Sequence, residues 1–166
     1  MKKIYTLFIL FCSISFFGQI SFTDTNFKAA LLAANTSNSI AKDVNLNPMK
    51  IDTNIDGEIS EAEALAVYHL DVSISNLITN NITNISEISY FSNLETLKCN
   101  NHQLTSLDVS MLANLKKLVA NKNQLTSVVL PNPADPIISS NLEFLSLEHN
   151  FLTSINLSNL ALQKVF

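Results

Sequence analysis

The sequence predicts an α/β repeat solenoid, in which short parallel strands stack in series behind an α-helical N-terminal cap. Three observations carry that expectation. The tripeptide Leu-Thr-Ser recurs at Leu104, Leu125 and Leu152 with matching apolar flanks, and a period of this kind marks repeat architectures. Ahead of the repeats, residues 24–34 carry apolar side chains at helical spacing. Between the two lies a dense acidic run around Gly57, the only glycine after residue 18.

The first element, residues 1–19, is expected to be a secretory signal peptide. Lys2 and Lys3 form a positive front, and the uncharged apolar run over 4–17 is too short to span a bilayer. Cleavage falls between residues 15 and 20, with the Ser13/Ser15 pair and the Gly18-Gln19 step as alternatives. Cys12 follows the bulky Phe11, which argues against lipid attachment, and its removal leaves Cys99 as the single mature cysteine. No internal disulfide can then hold the fold. The chain of 166 residues is long enough for one continuous fold, and no transmembrane segment is expected in its mature part. Its net charge of -4 becomes -6 without Lys2 and Lys3, and it has neither Arg nor Trp, which argues against nucleic acid as a partner.

The second element, residues 20–63, is the expected cap. Its helix over 24–34 starts at Asp24 or Thr25 and places Phe27, Ala30, Leu31 and Ala34 on one face. Residues 52–63 then read D-T-N-I-D-G-E-I-S-E-A-E, which fits D-x-[DN]-x-[DN]-G-x5-E at every specified position. The run resembles the calcium loop of EF-hand sites. That resemblance implies a structural calcium ion held by side-chain oxygens of Asp52, Asn54 and Asp56, the Glu58 carbonyl, Ser60 directly or through water, and Glu63 in bidentate fashion. Ile59 would plug into the core, and Gly57 falls where the loop turns sharply. Pro48 argues against an entering helix, so the arrangement is closer to dockerin-type loops, with only an exiting helix over about residues 60–68. An ordinary Asp-Gly turn that holds no metal is the alternative.

The third element, residues 64–166, holds the repeats. Leu94, Leu97, Cys99 and Leu104 share their spacing with Leu115, Leu118, Ala120 and Leu125, and with Leu142, Leu145, Leu147 and Leu152. A second apolar pair follows in each unit: Leu107 and Val109, Val128 and Leu130, Ile155 and Leu157. The step from Leu94 to Leu115 is 21 residues and the next, to Leu142, is 27, the excess containing Pro131, Pro133 and Pro136 and so predicting an inserted loop. Asn80, Ile82, Ile85 and Ile88 form a degenerate earlier unit, and Leu70 with Val72 an earlier strand. The chain stops at Phe166 without a polar closing element, which predicts a truncated array.

Residues 94–110 closely follow the L-x-x-L-x-C-x-x-N-x-L-T-S-L-D-V-S unit, and about residues 64–166 resemble the leucine-rich-repeat family, especially secreted, internalin-like bacterial members. The resemblance implies a horseshoe in which Asn123 and Asn150 satisfy inward-turning backbone groups, with His102 in the same position of the first clear unit. It also implies ligand contacts on the concave face through Thr96, Lys98, Lys117, Val119, Phe144 and Ser146, with a protein or a glycan as the partner. For Phe144, packing against the loop over 131–136 is an equal alternative. His69, His102 and His149 all fall in repeat positions and no catalytic constellation is present in the sequence, so no enzyme activity is expected. The function implied is a secreted or cell-surface interaction module, and the alternative is a spacer or accessory region for a further C-terminal domain, enzymatic or not.

Overall fold

The computed structural model describes residues 18–131, 141–158, 160 and 162–166. The expectations for the leader up to Phe17 and for the inserted loop beyond Pro131 lie outside them.

Helix α1 (Thr25–Leu32) begins at Asp24, whose Oδ1 accepts the Asn26 and Phe27 amides at 2.8 and 3.0 Å. This satisfies two of the amide groups that every helix start leaves without a partner. Phe27, Ala30 and Leu31 point into the core and Ala34 follows them in. Strand β1 (Ala41–Lys42) comes next, and then helix α2 (Glu61–Leu65), capped by Ser60 in a reciprocal pairing with Glu63. The helix is shorter than the span over 60–68 that its composition predicts. The Tyr68 amide donates to the Lys42 carbonyl at 3.0 Å rather than back to Ala64, so the chain leaves the helix for the sheet before Tyr68.

The remaining strands are β2 (His69–Asp71), β3 (Thr96–Lys98), β4 (Ser106–Asp108), β5 (Lys117–Val119), β6 (Ser127–Val129), β7 (Phe144–Ser146) and β8 (Lys164–Val165). A 3-10 turn, Ser86–Tyr90, lies between β2 and β3. The strands build a six-stranded sheet in the order β1-β2-β3-β5-β7-β8 and a separate pair, β4-β6. Only β1 runs antiparallel to its neighbour. Register is constant across the large sheet: Leu70, Leu97, Leu118 and Leu145 stand side by side, each at most 1% exposed. A slip of one residue would turn these leucines out to solvent, so burial itself holds the register. In the small sheet Leu107 faces Val128, while Ile155 and Leu157 of the next unit pack half-buried without joining a described strand.

One device links successive units. Asn123 donates to the Cys99 and Ala120 carbonyls at 2.8 and 3.2 Å and accepts the Leu104 amide at 3.2 Å. Asn150 does the same one unit on, to Ala120, Leu147 and Leu125, at 2.9, 2.9 and 3.0 Å. His102 fills the first such position, with Nε2 2.7 Å from the Val72 carbonyl and Nδ1 accepting the Ile82 amide at 3.2 Å. The residue before each of them, Asn101, Lys122 or His149, is left-handed, so the chain turns inward at the same point of every unit.

Candidate functional site

The acidic loop closes on itself. Left-handed backbone at Ile55 (φ 63°) and Gly57 (φ 78°) bends the chain so that three side chains meet amides of the same loop. Asp52 accepts from Asp56 and Gly57 at 3.2 and 3.3 Å, Asn54 from Asp56 at 3.1 Å, and Asp56 from Glu58 at 2.8 Å. The Asn54 amide also donates to Asp56 at 2.9 Å. Glu63, 8% exposed, spans loop and helix: Oε1 accepts from the Thr53 amide and hydroxyl at 2.7 and 3.0 Å, and Oε2 from those of Ser60 at 2.9 Å each. Ile59 is fully buried, and its carbonyl accepts the Ile20 amide at 2.8 Å, while Glu61 donates to the Gly18 carbonyl at 3.1 Å. The Glu58 side chain turns outward to Lys28 at 2.6 Å.

Burial pushes the Glu63 carboxyl up, but the bonds from Ser60 and Thr53 outweigh it and hold the group below the usual range. For Asp56 the bond from the Glu58 amide is the main cause of a lowered value. Asp56 and Glu63 are therefore ionised at neutral pH. Its donors are all oxygens, which is the chemistry a hard cation selects, and they come from the positions that the motif specifies. Among the described residues no three of His, Cys, Asp and Glu already converge into a metal cage. An ion would enter by exchange, with Asp52, Asn54, Asp56 and Glu63 giving up bonds within the loop for coordination.

The open face of the large sheet is the second candidate. The strand register aligns His69, Thr96, Lys117, Phe144 and Lys164 in one row and Asp71, Lys98, Val119 and Ser146 in the next. Five of the six residues expected at the contact surface, Thr96, Lys98, Lys117, Val119 and Phe144, are partly exposed on it. Ser146 is not: it is 4% exposed, with its hydroxyl donated to Asn121 at 2.9 Å, because a row of amides along the strand ends draws it in. In that row Asn100 accepts the Asn121 amide and Asn121 accepts the Glu148 amide, both at 2.8 Å. Phe144 packs against Phe166, with ring centres 5.8 Å apart, and the Lys117 ammonium lies 4.6 Å above its ring. The structure adds Lys42, His69, Asp71 and Lys164 to the face. Of these, the residues flanking Leu70 follow from its register with Leu97, whereas Lys42 arrives through an antiparallel strand that no repeat signal announces.

Cys99 is fully buried, and burial pushes its thiol up to about 12, so it is a packing residue and no nucleophile. No helix among the described residues is long and apolar enough to cross a membrane. No protein-family model matches the chain, and no curated protein and no solved structure is significantly similar to it.

Proposed function

We propose that this chain is a leucine-rich-repeat binding scaffold exported to the cell surface or beyond, with a calcium ion bracing its N-terminal cap. One observation carries the binding role. Leucines in constant register fill the core, while the side chains between them on the open face differ from strand to strand. Such a face costs the fold little to vary, and it presents mixed polar, cationic and aromatic groups suited to a protein or glycan partner. The recurrent Asn123, Asn150 and His102 links support the repeat reading, and the positive front and apolar run of residues 1–17 support export. Binding rather than catalysis is the activity we assign.

The scaffold role is tested by retention of the chain on arrays of immobilised matrix proteins and polysaccharides, comparing the parent with Val119→Glu on the open face and Val129→Glu on the small sheet. Retention lost only with Val119→Glu supports it, and equal retention of all three chains counts against it. The calcium role is tested by thermal unfolding with calcium, magnesium or a chelator, because an ion that binds the native state raises its midpoint. We expect calcium to raise the midpoint of the parent by several degrees and to leave an Asp52→Ala, Glu63→Ala chain unmoved. An unmoved parent would reduce the loop to an Asp-Gly turn.

A further inference from the structure

Four of the six strands in the large sheet set a lysine on the open face: Lys42 on β1, Lys98 on β3, Lys117 on β5 and Lys164 on β8. The acid standing among them, Asp71, is neutralised by Lys98 at 3.1 Å. Lys164 lies 4.4 Å over the Phe166 ring as Lys117 lies over Phe144, and among the described residues neither these two nor Lys42 has an ion-pair partner. Further carboxylates stand at the strand ends: Glu95, already paired with Lys116 at 2.9 Å, then Glu143 and Glu148. No two of these lysines are register partners, so the fold tolerates them, and in a chain of net charge -4 the unpaired Lys42, Lys117 and Lys164 on one face stand against the average. Strands lie about 4.8 Å apart, so a polymer laid across them meets an unpaired cation at every two or three strands.

At the β1 end the face deepens into two adjoining cavities of about 190 and 660 Å³ that share Ser39, Asp71 and Lys98. The smaller is lined also by Lys42, His69 and Thr96. The larger adds the hydroxyls and amides of Ser73, Asn76 and Asn100. Lys42 supplies a charge for an anion, while Leu46, Ile74 and Leu77 among the hydroxyls and amides give the mixed lining that the apolar faces and the hydroxyls of a sugar ring both use. An acidic peptide would use such a surface less well. A peptide recognised through its backbone needs a strand edge, and the middle strands of this sheet have both edges paired.

We propose that the open face binds a uronic-acid polysaccharide running across the strands, with one sugar carboxylate seated beside Lys42 and the sugar rings in the mixed polar and apolar groove next to it. The proposal rests on the reading of this face as the ligand surface and narrows the partner to one chemistry. The test is titration of the full chain with polygalacturonate, with neutral dextran and with polyglutamate, each run both in calcium and in a chelator so that calcium bridging and the state of the acidic loop are read apart. We expect binding of polygalacturonate that weakens as salt is raised to about 0.5 M, none of dextran, and at least tenfold weaker binding of polyglutamate. A Lys42→Ala, Lys117→Ala chain should lose tenfold or more in affinity, and Lys50→Ala, outside the sheet, should lose nothing, with circular dichroism showing all three folded. Polygalacturonate binding that ignores the double substitution overturns the proposal, as does no binding at all. Polyglutamate bound as tightly, and lost on the same substitution, also overturns it while leaving the face a binding surface, so the two readings fail separately.

Discussion

The cap and the repeats meet the same need with different chemistry. Both must satisfy backbone groups that turn inward away from water, since a buried unpaired amide is costly. The cap and its seam with the first unit use carboxylates: Asp24, Asp52 and Glu63 in the cap and Glu87 in the first unit, each between 5% and 8% exposed, accept from nearby backbone and side-chain donors. The repeats use amides: Asn123 and Asn150 each donate to the carbonyls of two successive units and accept the amide of a residue in the earlier one. A carboxylate only accepts, so it can pin a loop, but it brings a buried charge. Glu87 shows the cost, with Oε1 accepting from Thr23 while Oε2 is buried without a partner. An amide carries no charge and joins one unit to the next. The contrast predicts that protons, and calcium if it binds as proposed, act on the cap more than on the array, with His102 at the border between them.

The largest expected effect that sharpens this contrast is in the cap. Asp24 starts α1 and also accepts the Thr83 amide, the Thr83 hydroxyl and the Asn84 amide at 2.7, 2.8 and 3.1 Å, tying the helix to the degenerate first unit. Asp24→Ala should destabilise the chain by about 3 kcal/mol in urea unfolding. Asp24→Asn should recover only the helix cap, about 1 kcal/mol, since its amide nitrogen cannot accept from Thr83 and Asn84. Asn123→Ala should cost somewhat less, about 2 kcal/mol, and by the same amount at pH 7 and pH 5. A loss that grew in acid would break the division between charged cap and neutral array.

The next effect is the pH slope itself. Burial is the main cause of a lowered His102 pKa, only partly opposed by its bond to the Val72 carbonyl and by the charge of Asp24. Its folded form stays neutral where the unfolded chain takes up a proton. Stability should therefore fall as pH drops below about 6.5, the ordinary value. Glu63 and Asp24 are likewise lowered, burial opposing but hydrogen bonds prevailing, so a second loss follows below about pH 4.5. His69 is likewise lowered, chiefly by burial, so His102→Asn should lessen the first slope without abolishing it and leave the second, as read from unfolding midpoints across pH. The smallest effect is at Ile55, a β-branched residue in left-handed backbone and 76% exposed. Ile55→Gly should relieve strain and raise stability by about 1 kcal/mol, because no buried contact is lost with the side chain.

Much of this was legible in the sequence where a short-range pattern sets the structure. The helix at Thr25 and the columns of Leu97, Leu118 and Leu145 follow from spacing alone, because helix geometry and strand alternation repeat faithfully, whereas the Ser60–Glu63 capping pair was missed, since the calcium motif claims both residues as metal ligands. The links at Asn123 and Asn150 followed from resemblance. Long-range partnerships were not legible. Nothing local says that Asp24 reaches Thr83, that Glu87 reaches Thr23, or that Lys42 lies beside His69, since each pairing depends on how the cap docks on the first unit. The end of α2 and the burial of Ser146 were missed for a related reason: a carbonyl or an amide elsewhere in the fold claims the chain first.

The constant register has a consequence for how such a chain can change over generations. Because β3 and β5 are offset by 21 residues, as are β4 and β6, duplicating or deleting one 21-residue block inserts or removes a whole pair of strands without shifting the leucines on either side. Recombination within the array would thus lengthen or shorten it one finished step at a time. Each new step would bring its own outward side chains, so growth and diversification of the exposed surface would be a single event.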